Sequence, residues 1–200
     1  MDKELSLKKI STILDGKTNF KIDDTREFNK CVQHVENLLE DANLLYQNKS
    51  YGSSTFFSIS AIEEIGKVIV GSYAKLPETG ERVKTDLLRD HRNKEIIGTN
   101  YTITMGERLQ NAIGQKMMEK IIEFAQQGKL KQLRESSIYC DKDKTSNRLI
   151  VPMDIISKEF SRAMLLFAIE SFDDNLVGLT NFSMEISQKT DTLFAELSES

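Results

Sequence analysis

An all-α fold is predicted, a compact bundle of about five to seven helices around a central buried helix, residues 50–76. Three observations predict it. The stretch SYGSSTFFSISAIEEIGKVIVGSYAKL from Ser50 to Leu76 is long enough for about seven turns and is apolar on nearly every side, as a buried helix is. Apolar residues elsewhere recur mainly at helical spacing, and the chain has only two prolines and no internal repeat. Two hundred residues suffice for a single core that buries roughly 70% of the unfolded surface without metal or disulfides. The two cysteines, Cys31 and Cys140, form no C-x-x-C pair and suggest no disulfide framework.

Taken in order, residues 1–22 read as an N-terminal arm or as a short helix on Leu7, Ile10 and Leu14 that Gly16 ends, and residues 23–200 as one helical domain. Asp24-Thr-Arg-Glu27 has the form of a capping box, and Phe28, Cys31 or Val32, Val35, Leu38 or Leu39, Ala42 and Leu45 continue a stripe to about Asn48. The short polar turn Asn48-Lys49-Ser50 predicts an antiparallel hairpin with the central helix. Gly52, Gly66 and Gly71 point to close helix packing, and Pro77 and Gly80 close the central helix. A third helix is expected over 81–97, its apolar face of Val83, Leu87 and Leu88 turning polar at His91 and Lys94. Asn100 to Met105 reads as a short extended piece or a loop. Leu109, Ile113, Met117, Ile121 and Phe124 predict one long helix stopped by Gly128. Residues 129–148 read as a turn or two of helix and an exposed loop. Pro152 and Asp154 open a helix with Ile156, Phe160, Ala163, Phe167 and Leu176 inward, and the last helix carries Phe182, Ile186, Leu193 and Leu197.

The net charge is −4, yet residues 75–148 hold 15 Lys/Arg against 11 Asp/Glu while residues 149–200 hold 3 against 9. A basic zone in an acidic chain permits a local RNA contact and argues against general coating of nucleic acid. The N-terminus shows no signal-peptide run, and the central helix is interrupted by charges. A soluble cytoplasmic protein is expected, with no membrane and no DNA partner.

Glu63, Glu64 and Lys67 sit inside the most apolar helix, and buried ionised groups need partners. Neighbouring carboxylates diverge by about 100° on a helix, so Lys67 cannot serve both and a second cation from another helix is required. His91, Arg92 and Lys94 are the nearest source. The candidate catalytic set is therefore His91, Lys94, Glu63 and Lys67, with His91 transferring protons, and the candidate binding set is Glu64, Lys84, Arg89 and Arg92. The alternative is a buried polar network that fixes helix register. No metal site and no cofactor are expected: there is no His-x-x-x-His or Glu-x-x-His pair and no phosphate-binding glycine loop.

The run from Asn37 to Leu76, with its A-x-x-L-Y and Glu63-Glu-Ile-Gly-Lys67, followed by Asp90-His-Arg-Asn-Lys94 and by the segment from Ile138 to Pro152, resembles the AbiV family of bacterial abortive-infection proteins over about residues 28–175. The matched positions are Glu63, Glu64, Lys67, His91 and Lys94. The resemblance implies a fold related to the HEPN superfamily and an antiviral effector, a toxin latent until a phage-encoded activator engages it, that halts host translation or growth. It further implies a homodimer and an RNA or ribosome target. HEPN effectors are often metal-independent ribonucleases that use an arginine followed after four to six residues by a histidine. Here Arg89 is one residue from His91 and Arg82 eight, and Lys84 alone has six intervening. Lysine lacks the bidentate phosphate grip of arginine. Whether the protein is an enzyme therefore stays open, and the alternative is a non-catalytic protein-binding or antitoxin-like regulatory module.

Overall fold

The computed structural model describes residues 3–73, 83–100, 107–143 and 145–199. The described chain is mostly helical, with ten α-helices, one 3-10 turn and one two-stranded ribbon. Helix α1 (Lys3–Leu14) buries Ile10 and Ile13 and packs against α4. Helix α2 (Thr25–Gln47) starts where Asp24 Oδ1 accepts the Glu27 backbone N–H at 2.8 Å. Glu27 in turn accepts the Asp23 backbone N–H at 3.0 Å, so the box closes one residue earlier than its usual partner. Lys49, with φ of +62°, turns the chain back into α3 (Tyr51–Tyr73), and the two helices lie side by side. Ile59, Ala61, Ile62, Ile65 and Val70 of α3 are wholly buried, because α2, α4 and α9 cover it. Its expected closure by Pro77 and Gly80 falls outside the described residues.

The helix expected over 81–97 begins only at His91: α4 is His91–Asn100. Residues 83–87 bond to the loop after α1 instead. Asp86 accepts the Asn19 backbone N–H at 2.8 Å, the Val83 backbone N–H donates to Asn19 Oδ1 at 2.8 Å, and Leu87 N–H donates to the Lys17 carbonyl. Asp86 also caps a 3-10 turn, Leu87–Arg89, and Asp90 then accepts the Arg92 N–H at 2.9 Å. Two aspartates competing for nearby N–H groups hold this stretch out of the helix. Lys84 and Val83 therefore do not share a helix face with His91. Asn100 ends α4, and the rest of the expected extended piece lies outside the described residues.

The single long helix expected from Leu109 to Phe124 is broken. Gly114, at φ of +80°, separates α5 (Glu107–Ile113) from α6 (Gln115–Gln126), a conformation that L side chains rarely adopt. Gly128 ends α6 as expected and leads into α7 (Lys129–Ser136). The exposed loop that follows is pinned by β1 (Asp141–Lys142), paired antiparallel with β2 (Leu149–Ile150). The helix expected from Pro152 is likewise two: α8 (Pro152–Ile155) is one turn, Ile156 is buried between, and Ser157 caps α9 (Lys158–Leu176). Helix α10 (Asn181–Ser198) closes the bundle with Ile186 and Leu197 buried.

One crossing positions everything that follows. A methyl group on Gly66 of α3 would lie 2.1 Å from the Lys94 carbonyl oxygen of α4, and one on Gly98 would lie 2.2 Å from that of Ile62. Backbone meets backbone there, twice, because neither residue has a Cβ.

Candidate functional site

Glu63 leaves α3 at this crossing and is almost fully buried, with 4% of its side chain exposed. Its Oε2 accepts from His91 Nδ1 at 2.8 Å and from an Arg134 terminal guanidinium nitrogen at 2.8 Å, with Lys94 Nζ at 3.6 Å. His91 and Lys94 are one turn apart on α4, so both reach the carboxylate that the Gly66 contact brings close. Arg134 comes from α7, and its guanidinium also lies over the Phe56 ring at 5.8 Å. Exposure grades outward: Lys94 12%, Arg134 18%, His91 31%.

This pattern has chemical content. A Nδ1–H donated to a buried carboxylate fixes the imidazole tautomer and places the lone pair on Nε2, on a side chain that is half-buried. One carboxylate cannot neutralise both Lys94 and Arg134, so the neutral-imidazole form of the cluster keeps positive charge beside a basic nitrogen. A proton acceptor next to positive charge suits attack on a phosphate ester.

Glu64 points elsewhere. It pairs with Lys67 at 3.0 Å, and Lys67 lies over the Phe20 ring at 4.8 Å, toward α2 and the N-terminal loop. Glu63 takes its partners from other helices, whereas Lys67 is paired with Glu64 on its own helix and not with His91 among the described residues. Of the remaining basic residues, Arg92 donates Nε–H to the Gln126 carbonyl at 2.9 Å and so anchors the end of α6 to α4. Arg89 is exposed in the 3-10 turn, and Lys84 is exposed in the loop before it. His34 is exposed on α2.

Two residues of the cluster were not singled out from sequence. Arg134 lay in a basic run whose charges looked solvated. Glu95, adjacent to Lys94, is wholly buried, and neither carboxyl oxygen completes a hydrogen bond. Burial, and then the charge of Glu63, push its pKa up to about 7; the Lys131 backbone N–H and Arg134 pull the other way. Glu95 lies one turn beyond His91, at i+4 on the same face of the helix, and that spacing was the available signal; nothing in the sequence joined it to Arg134.

Among the described residues no group of His, Cys, Asp and Glu could hold a metal ion. Cavities of 500 and 550 Å³ are lined by Lys49 to Ser53 with Pro152, and by Gln132, Glu135, Ser136, Tyr139, Cys140 and Asp141, and neither Glu63 nor His91 lines them. No described helix is long and apolar enough to cross a membrane.

The family model HEPN_AbiV, described as AbiV, matches residues 26–172. The chain belongs to the AbiV family. The matched span takes in all five residues of the His91 cluster, on α3, α4 and α7, and leaves out α1 and α10. No curated protein and no solved structure matches the chain. An AbiV-family, HEPN-like assignment agrees with the mostly helical fold and points to abortive-infection defence.

Proposed function

We propose that this AbiV-family protein is a cytoplasmic abortive-infection effector that cuts RNA, with His91 as the proton-transferring residue. The observation that carries the reading is the 2.8 Å contact of His91 Nδ1 with the buried Glu63, flanked by Arg134 and Lys94. His91 Nε2 takes the proton of a ribose 2′-hydroxyl as that oxygen attacks the adjacent phosphorus. The bond to the 5′-oxygen breaks, the leaving oxygen takes a proton from water, His91 returns its proton to the hydroxide that remains, and the products are a 2′,3′-cyclic phosphate and a 5′-hydroxyl. Arg134, Lys94 and the outlying Arg89 supply the positive field for the phosphorane. The effector is latent, works as a homodimer and is engaged by a phage-encoded protein.

Purified protein should cleave RNA in the presence of a chelator, and His91→Ala should lower the rate about 100-fold or more. In phage-infected cells, new RNA 5′ ends seen with the wild type should vanish with the variant at matched protein levels. Intact RNA alongside arrested translation would sink the cleavage reading.

A second reading has its own support. Glu63 and His91 line neither of the 500 and 550 Å³ cavities, while Lys84, Arg89 and Arg92 are exposed, as a docking surface for RNA, a ribosome or a partner protein requires. RNA binding that falls steeply with salt and leaves no product would favour it.

A further inference from the structure

Eight buried side-chain polar atoms among the described residues have no hydrogen-bond partner, and four belong to the His91 cluster: Glu63 Oε1, both oxygens of Glu95, and Arg134 Nε. The nitrogen is a donor and the three oxygens are acceptors. Arg134 therefore uses one edge of its guanidinium on Glu63 and holds its Nε–H in reserve, while a second, wholly buried carboxyl group stands unsatisfied on the helix that carries His91. Burying such a group is costly, and an apolar side chain of similar size would fill the space at less cost.

We propose that Glu95 is a positioning residue of the His91 site, competing with Glu63 for the Arg134 guanidinium group. The charged groups that act on Glu95 are Glu63 from α3, Arg134 from α7 and Asp90 from the turn before α4; the Lys131 N–H at the start of α7 favours its anion. Arg92 of α4 is held at the end of α6 by the Gln126 carbonyl. With Glu95 neutral, Arg134 belongs to Glu63, and the charge of Glu63 is shared among Arg134, Lys94 and His91. With Glu95 ionised, Nε–H gains a second anion, Glu63 loses part of its compensation, and the imidazolium form of His91 is favoured. Glu95 thereby decides whether His91 is held ready to accept a proton or to donate one. Its burial and the nearness of Glu63, which lift its pKa to about 7, put that choice in the neutral range.

The inference rests on reading His91 as the proton-transferring group, but its test needs no RNA. The ring nitrogens of His91 and the carboxyl carbon of Glu95 are followed by NMR as pH is raised, with exposed His34 as the internal control. In the wild type, His91 should show a second inflection at the pH where the Glu95 carboxyl titrates. In Glu95→Gln that second inflection should disappear, with the His34 curve unmoved. A single-group His91 curve in the wild type overturns the proposal even if the variant fails to fold, as do superimposable His91 curves in the two proteins. A protein that cuts no RNA but shows the coupling removes the proposed function and leaves this inference standing.

Discussion

Glu63 Oε2 meets His91, Arg134 and Lys94, whereas neither oxygen of Glu95 completes a hydrogen bond, although the two carboxyl groups lie in one cluster. The consequence for stability has a definite sign. The folded state holds the Glu95 proton up to about pH 7, whereas the ordinary value is 4.5, so the folded protein binds more protons than the unfolded chain between those values and loses stability as pH rises through them. Glu95→Gln, which cannot ionise, should be more stable than the wild type above pH 7 by about 3 kcal/mol, and the difference should vanish below the ordinary carboxylate range. Thermal denaturation over a pH series measures this. The divergence of Glu63 from Glu64 was legible in their adjacency, since neighbours on a helix face different ways. Which of them faces inward was not, because Arg134 is 71 residues from Glu63 and only packing joins them.

Between elements, the contact that matters is the crossing of α3 and α4. Gly66→Ala puts a carbon 2.1 Å from the Lys94 carbonyl oxygen, and backbone cannot move aside as a flexible side chain can. The two helices must part, at a cost of about 3 kcal/mol, and His91 must withdraw from Glu63. Chemical denaturation should show the loss, and the His91 Nδ1 proton should lose its carboxylate-bonded shift. A wild-type-like stability for this variant would contradict the crossing. Gly66 was readable as a packing residue from its place in an apolar helix, but Gly98 acquires meaning only once α4 is known to reach it. The same holds for the start of α4. Periodicity over Val83, Leu87 and Leu88 argued for helix, and the side chains of Asp86 and Asn19, 67 residues apart, overrode it through hydrogen bonds that no local pattern contains. Gly114 broke a valid apolar stripe because a left-handed residue leaves the spacing on either side intact.

Across the whole molecule, the far end of the bundle is held by Arg108 of α5. Its guanidinium pairs with Glu170 and Asp173 of α9 and with Asp191 of α10, and it lies over the Phe194 ring at 4.4 Å. Burial outweighs the arginine at Asp173, lifting its pKa to about 6. Burial, with the charges of Glu170 and Asp173, lifts Asp174 to about 7. Both shifts act in the same sense as that of Glu95, so the wild type should melt at a lower temperature at about pH 8 than at about pH 5.5. Arg108→Met should destabilise by about 3 kcal/mol, with the larger effect at the higher pH, where the carboxylates it leaves behind are charged. Equal losses at both pH values would deny the cluster this role. The helical class was legible from stripes that packing respects, such as Val32, Val35 and Leu39 on α2. The Arg108 clamp was not, for its four charged members come from three helices and no stripe includes them.

The Glu63 to Arg134 contact also has a history in time. Glu63 and His91 leave the ribosome 28 residues apart, but the guanidinium group that completes their cluster emerges 71 residues after Glu63. For that interval the nascent chain can offer Glu63 only His91 and Lys94 as partners, and the emergence of α7 supplies the third side of the site.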